Sequence, residues 1–499
     1  MQRNRNSQTY RHGQSLRVLA KLGERKQGVC MIMRRRNLLS VILILVIVSI
    51  APSILAQTPK AEFMSFESAQ PVLTQMKDSL PAELKGKGKL DAKTWASWVE
   101  QRDAGIRRRL ETGEEDTLTN LLRFGVTFTK EYPIDRDYLG RYGHSTLVDS
   151  FAEHRAEDLV RALASPTSNE GMQHMRVLLE KKGFSFKTPR ERARLKKYLL
   201  ANLARMRDEF IRFTEQLEKG NLSEASHLYA ERGISLDSNL WPDFALDKHL
   251  RGMVKKGLLK PGSVRRVAIV GPGLDFANKE DGNDFYPPQS IQPFAVIDSL
   301  VRLGLSDPKS LELYTLDISP SINIHLAHAR ERALRGKAYA VQLPWSSAVP
   351  RSREYLAEFS PYWQALGDQI GAPAKPVPLP SGPSTGQVHL RAVTIRPEIV
   401  TRVTPLDTNI VFQRLTFVTP EQQFDLVIGT NIFVYYEAFE QGLARANLSS
   451  ILKPGGYLLS NDLLSDKAPS RLTEVERTTI ELSTKPPLTD YIFCYRREQ

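Results

Sequence analysis

Two patterns divide the chain. From Ala61 to about Leu259 apolar residues recur at helical spacing and β-branched runs are scarce. Trp95, Trp98, Val99, Ile106 and Leu110 fall on one face, and Gly113 is expected to end that helix. Thr188-Pro189-Arg190-Glu191 reads as a capping box with proline at the first helical position, opening a long amphipathic helix through Leu195, Leu199, Leu203, Met206, Phe210, Phe213 and Leu217 to Gly220. Its aromatic and Met stripe is expected in a helix-bundle core. Arg232 to Asp237, with Trp241 and Pro242 beyond, is expected to join the bundle to the next domain or to cover its pocket. Phe244, Leu250 and Val254 suggest one more helix, closed by Gly257 and Pro261.

After residue 260 short apolar runs alternate with helical stretches, the signature of parallel βαβ units. The expected fold is therefore a doubly wound, Rossmann-like α/β domain over 261–499, preceded by an all-α helical domain over 57–260. Within the second domain about 345–390 is expected to be an inserted loop, since 371–386 is rich in Pro, Gly and Ser.

Composition changes this picture little. The 499 residues are 41% hydrophobic and 25% charged, which suits two or three globular domains. Of the formal net charge of +13, residues 1–36 carry +9 with ten Lys/Arg and one Glu, leaving +4 for the rest. That distribution gives no sequence-wide case for a nucleic-acid partner, which needs a basic patch on a folded domain. Cys30 and Cys494 have no neighbours at metal-ligand spacing, and His325 and His328 lack further ligands, so no metal site is expected. Arg34 to Arg36 followed by the apolar run Leu38 to Ile50 and Ile54-Leu55-Ala56-Gln57 has the order of a secretory signal. Residues 1–56 are thus expected to be a basic leader with a signal peptide, or a membrane anchor through 38–56, the body being exported or inner-membrane-anchored. A cytoplasmic chain is the alternative.

The candidate chemistry lies at the ends of the β-like runs. Val267-Ala268-Ile269-Val270 leads directly into Gly271-Pro272-Gly273-Leu274-Asp275, a turn at which the backbone can approach a ligand closely. Phe276 stands where a dinucleotide fingerprint requires a third glycine, which disfavours a nicotinamide-dependent oxidoreductase. Leu311 to Leu316 is a second strand ending in Asp317-Ile318-Ser319, with the acid placed to accept hydrogen bonds from a ribose diol. Phe424 to Tyr436 is a further strand that leaves Asn431, Tyr435 and Tyr436 at its carboxyl end.

Here the chain resembles the class I S-adenosylmethionine-dependent methyltransferases. FDLVIGTN (424–431) looks like that family's fourth strand and LKPGGYLL (452–459) like its turn into the fifth. Arg477 to Thr484 and Asp490 to Arg496 look like its closing antiparallel strand pair. FDLV…N…YY and the segment Phe285 to Pro293 are also loosely similar to chemotaxis-receptor methyltransferases. The resemblance covers about half the chain. It implies S-adenosyl-L-methionine as cofactor and methyl transfer to an acceptor it does not specify, small molecule or protein. By it Gly271 and Gly273 would face the donor's amino acid end, Asp317 and Ile318 its ribose, and Asp407, followed by Thr408 and Asn409, its adenine. Asn431 and Tyr435 would stand at the methyl end. Asp275 replaces the glycine the family prefers, and would either contact the donor's ammonium or block the pocket. The donor is made in the cytoplasm, so an exporting leader and this activity pull apart. The alternative is a non-catalytic nucleoside-ligand-binding or scaffold protein on the same fold.

Overall fold

The computed structural model describes residues 59–85, 90–134, 146–238, 240–275, 284–347, 352–381, 387–417, 419–465, 467–484 and 487–499. The leader and its signal or anchor segment lie outside the described residues. Among the described residues no helix is long and apolar enough to cross a membrane.

The helical stretch contains α1 (Phe66–Gln75), α2 (Ala92–Phe124), α3 (Thr146–Ala164), α4 (Glu170–Lys181), α5 (Pro189–Glu218), α6 (Leu222–Glu231) and α7 (Leu240–Lys255). The capping box of α5 forms as expected, with Glu191 N donating to Thr188 Oγ1 and Thr188 N donating back to Glu191 Oε2. Leu195, Leu199, Leu203 and Met206 are its buried stripe, while Leu217 is exposed. α2 differs from expectation. It runs 33 residues, straight through Gly113. A Cβ at Gly113 would lie 1.7 Å from the Ile234 carbonyl oxygen, so this glycine answers to a chain crossing the helix rather than to a helix end. Nor is the region all-α. β1 (Lys60–Phe63) pairs antiparallel with β8 (Gln413–Thr416), a four-residue edge ladder too short to announce itself in the pattern.

The second half is the doubly wound α/β fold. Its strands β2 (Arg266–Val270), β3 (Glu312–Asp317), β7 (Val403–Asp407), β9 (Phe424–Gly429) and β10 (Leu452–Ser460) are parallel, and β11 (Leu472–Thr484) and β12 (Pro487–Arg497) close the sheet antiparallel. The spatial order is β11-β12-β10-β9-β2-β3-β7. Every residue of β2 is buried, because strands flank it on both sides and helices cover both faces. From β2 the chain winds first outward through β3 and β7, then the other way through β9 and β10. Such a reversal opens a crevice at the strands' carboxyl ends.

The inserted segment is more ordered than a loop. β4 (Tyr339–Ser346), β5 (Gly371–Ala374) and β6 (Val388–Ile395) form a separate antiparallel sheet in the order β4-β6-β5, with α10 (Arg353–Ala365) between β4 and β5. Gly371–Ala374, read from composition as loop, is an edge strand, the place where Pro373 costs no ladder hydrogen bond. The helices α8 (Gln292–Arg302) and α9 (Pro320–Leu334) follow β2 and β3, and α11 (Ala438–Ile451) precedes β10.

Candidate functional site

The glycine turn after β2 has the backbone its sequence requires: Gly271 and Gly273 take φ values of +65° and +77°. Gly271 N donates to Leu316 O at 3.0 Å, which fixes the turn beside the end of β3. Asp317 is the next residue. Its Oδ1 accepts from Ser319 N at 2.7 Å, and its carboxyl is pushed up to about 7. Burial is the main cause and the neighbouring Asp407 adds to it, opposed by the Ser319 N–H and the Arg107 guanidinium.

Asp407 is the register partner of Asp317 on β7. Beside this pair stands Arg107 of α2, with Asp317 buried and Asp407 exposed. It ion-pairs with Asp407 at 2.8 Å and with Asp103 at 2.9 Å, and donates to Ile318 O at 3.2 Å. Asn409 Nδ2 in turn donates to Asp103 Oδ1 at 2.7 Å. Asp317, Ile318 and Asp407 thus converge, and Arg107 holds them together. Sequence reasoning missed it, although its spacing of four from Asp103 on a helix was visible.

The space before the glycine turn is lined by the chain's own residues. A Cβ on Gly271 would lie 2.1 Å from Ile432 Cδ1, and one on Gly273 2.6 Å from Ser238 Cβ. Ser238 belongs to an irregular strap, residues 232–238, that crosses the turn and α2. Leu274 N donates to Leu236 O at 2.7 Å, Ile234 N to Arg109 O at 3.2 Å, and Asn120 Nδ2 to Asp237 Oδ2 at 2.9 Å.

The remaining predicted residues are held as follows. Asp275 is buried, pairs through its backbone with Gln289, and accepts at Oδ2 from the Tyr286 hydroxyl at 3.1 Å. Asn431 takes φ +58° and exchanges hydrogen bonds with Asn461, through its own N–H at 2.7 Å and its Oδ1 at 2.8 Å. Tyr435 is buried, its ring 5.4 Å from that of Tyr229, and burial drives its hydroxyl pKa far up. Asp462, not singled out from sequence, accepts from Ile432 N and Phe433 N at 3.1 and 2.8 Å and so shapes the end of β9. His325 Nε2 lies 2.8 Å from the Tyr339 hydroxyl, and burial lowers its pKa to about 4.

No family model matches this chain, and no curated protein does. Among solved structures it is similar to the N-methyltransferase NodS from Bradyrhizobium japonicum WM9, in complex with S-adenosyl-L-homocysteine. The identity is 14% over 56% of this chain and 98% of that one, with a TM-score of 0.26. TrmN from Thermus thermophilus matches at 12% over 51% and 52% of the two chains, TM-score 0.25. Magnesium protoporphyrin IX methyltransferase from Synechocystis PCC 6803, with bound SAM, matches at 12% over 51% and 79%, TM-score 0.24. Likenesses of this size do not bear on chemistry; the strand order and the residues at its carboxyl ends do.

Proposed function

We propose that the chain is a methyltransferase that uses S-adenosyl-L-methionine, with the helical region and the inserted sheet shaping the acceptor side. One observation carries this reading: the glycine turn and Asp317 are joined by the Gly271 N to Leu316 O bond at the point where the sheet order reverses. The five parallel strands and antiparallel closing pair are also what the family resemblance implies for residues beyond 261.

The residues at the crevice fit the donor in kind. Two glycines with positive φ form a cradle that a Cβ would fill, and a buried acid stands beside it to accept from a ribose diol. Ile432 Cδ1 and the strap stand in the cradle, so binding asks that flexible side-chain end and the strap to move aside. The bound donor would supply a methyl group on an already activated sulfonium. What the chain supplies is alignment and exclusion of water, with Asp317 giving up its proton as the diol takes the carboxylate. The filled cradle also favours a second reading, a binding or scaffold protein on the same fold.

Calorimetric titration of the full chain with S-adenosylhomocysteine separates the two. Micromolar binding that Asp317→Ala abolishes supports the enzyme reading. No binding by the unaltered chain moves the assignment to the scaffold.

A further inference from the structure

Four arginines from the helical region stand at the carboxyl ends of the strands, and they differ in what neutralises them. Arg102 lies 2.6 Å from Glu440, Arg107 is held by Asp103 and Asp407, and Arg232 is 3.9 Å from Asp116. Arg109 has no carboxylate within ion-pairing distance among the described residues. Its Nε donates to Arg232 O at 2.9 Å, while one terminal nitrogen is buried with no hydrogen-bond partner. Nε of Arg232 is buried and unpartnered as well. The acidic groups whose fields reach Arg109 are Tyr436, Glu440 and Tyr435, with Glu440 already committed to Arg102. Burial accordingly depresses the Arg109 pKa.

A half-buried guanidinium without a counter-charge weakens the folded state, and planar N–H forks of this kind match carboxylate and phosphate oxygens. Arg232 provides a way in: its side chain is 30% exposed and lies over the Tyr229 ring, which in turn packs on Tyr435. Tyr435 is the residue expected at the methyl end.

We propose that Arg109 and Arg232 form an anion subsite beside Tyr435, so that the methyl acceptor carries a carboxylate or phosphate group. The assignment to an acceptor rests on the methyltransferase reading; the anion subsite does not. Arg109 binds the innermost oxygens and Arg232 closes over the group from the mouth.

The test is the melting temperature of the full chain in inorganic phosphate and in acetate, against chloride at equal ionic strength and without any donor. Binding at roughly twenty times the dissociation constant raises the melting temperature by about 2 °C. Arg109→Gln should lose that rise. In chloride alone Arg109→Gln should melt no lower than the unaltered chain, because it removes an uncompensated charge. Stabilisation by phosphate alone identifies a phosphorylated acceptor, and stabilisation by both anions a carboxylate one. An equal response of Arg109→Gln and the unaltered chain, or a variant that melts lower in chloride, overturns the subsite. The calorimetric failure of homocysteine-ligand binding would overturn only the methyltransferase reading.

Discussion

Asp317→Asn isolates the group on which the candidate site depends. The side chain keeps its shape, and its amide oxygen can still accept from Ser319 N, so what is removed is the charge. In the folded chain the carboxyl is pushed from 3.8 up to about 7, chiefly by burial. An acid raised in the folded state binds more protons than in the unfolded chain between those values, so stability is full below about pH 4 and falls as pH rises through 7. Three pH units at about 1.4 kcal/mol each give a loss on the order of 4 kcal/mol, complete by pH 8. Asp243, raised to about 8, and Asp298 and Asp462, raised to about 6, contribute in the same sense, so one pH profile is not diagnostic. The difference between the unaltered chain and the variant is. Urea unfolding of both at pH 5 and pH 8 should show the variant gaining on the parent as pH rises, by about 2.5 kcal/mol, the part of that loss that falls above pH 5. Parallel profiles would refute the reasoning, because they would mean that Asp317 ionises in the folded chain as it does in water.

Two further predictions concern the strap. Gly273→Ala places a Cβ 2.6 Å from Ser238 at φ +77°, whereas Gly220→Ala imposes a similar φ of +72° with nothing within 4 Å. Left-handed strain of about 1–2 kcal/mol is common to both, so Gly273→Ala should lower the melting temperature more, and equal losses would remove the strap contact from the account. Gly113→Ala reverses an ordinary expectation: mid-helix it should stabilise by about 1 kcal/mol, yet here it drives into the Ile234 carbonyl, so hydrogen exchange at the Ile234 amide should accelerate rather than slow.

What was legible in the sequence was what short-range pattern encodes. An unbroken apolar run before Gly271-Pro272-Gly273 read as a strand, and all of its residues are buried; the acid ending the next run lies beside the turn. Thr188 and Glu191 sit three residues apart and read as a cap for the same reason. Arg107 was illegible because its meaning comes from Ile318, 211 positions away. Gly113 was misread because a glycine inside a helix and a glycine after one look alike until the crossing chain is known. The inserted sheet was hidden by composition: Gly371-Ala372-Pro373-Ala374 has poor strand propensity and is a strand only because Val388–Ile395 offers it an edge.

The contacts around α2 decide which piece must move if the glycine turn is to admit a ligand. Releasing the helix would strip Arg102, 38% exposed, from Glu440, whose side chain is 1% exposed, and leave that carboxylate without its counter-charge. It would also uncover Trp95, Trp98, Val99 and Ile106, each worth roughly 2 kcal/mol or more of apolar burial. The strap is held by hydrogen bonds from Leu274 N, Ile234 N, Asn120 Nδ2 and Arg109 Nε at about 1 kcal/mol apiece, and by two buried aliphatic side chains, Ile234 and Leu236. Ser238 Oγ, against Gly273, is buried without a hydrogen-bond partner, whereas Asp237 is tied through Oδ2 to Asn120 and Ser235. Of the two pieces the strap is therefore the less firmly held, and Ser238 is the part of it that stands against the glycine turn. With α2 in place, Arg107 keeps its ion pair to Asp407 and its hydrogen bond to Ile318 O beside the end of β3.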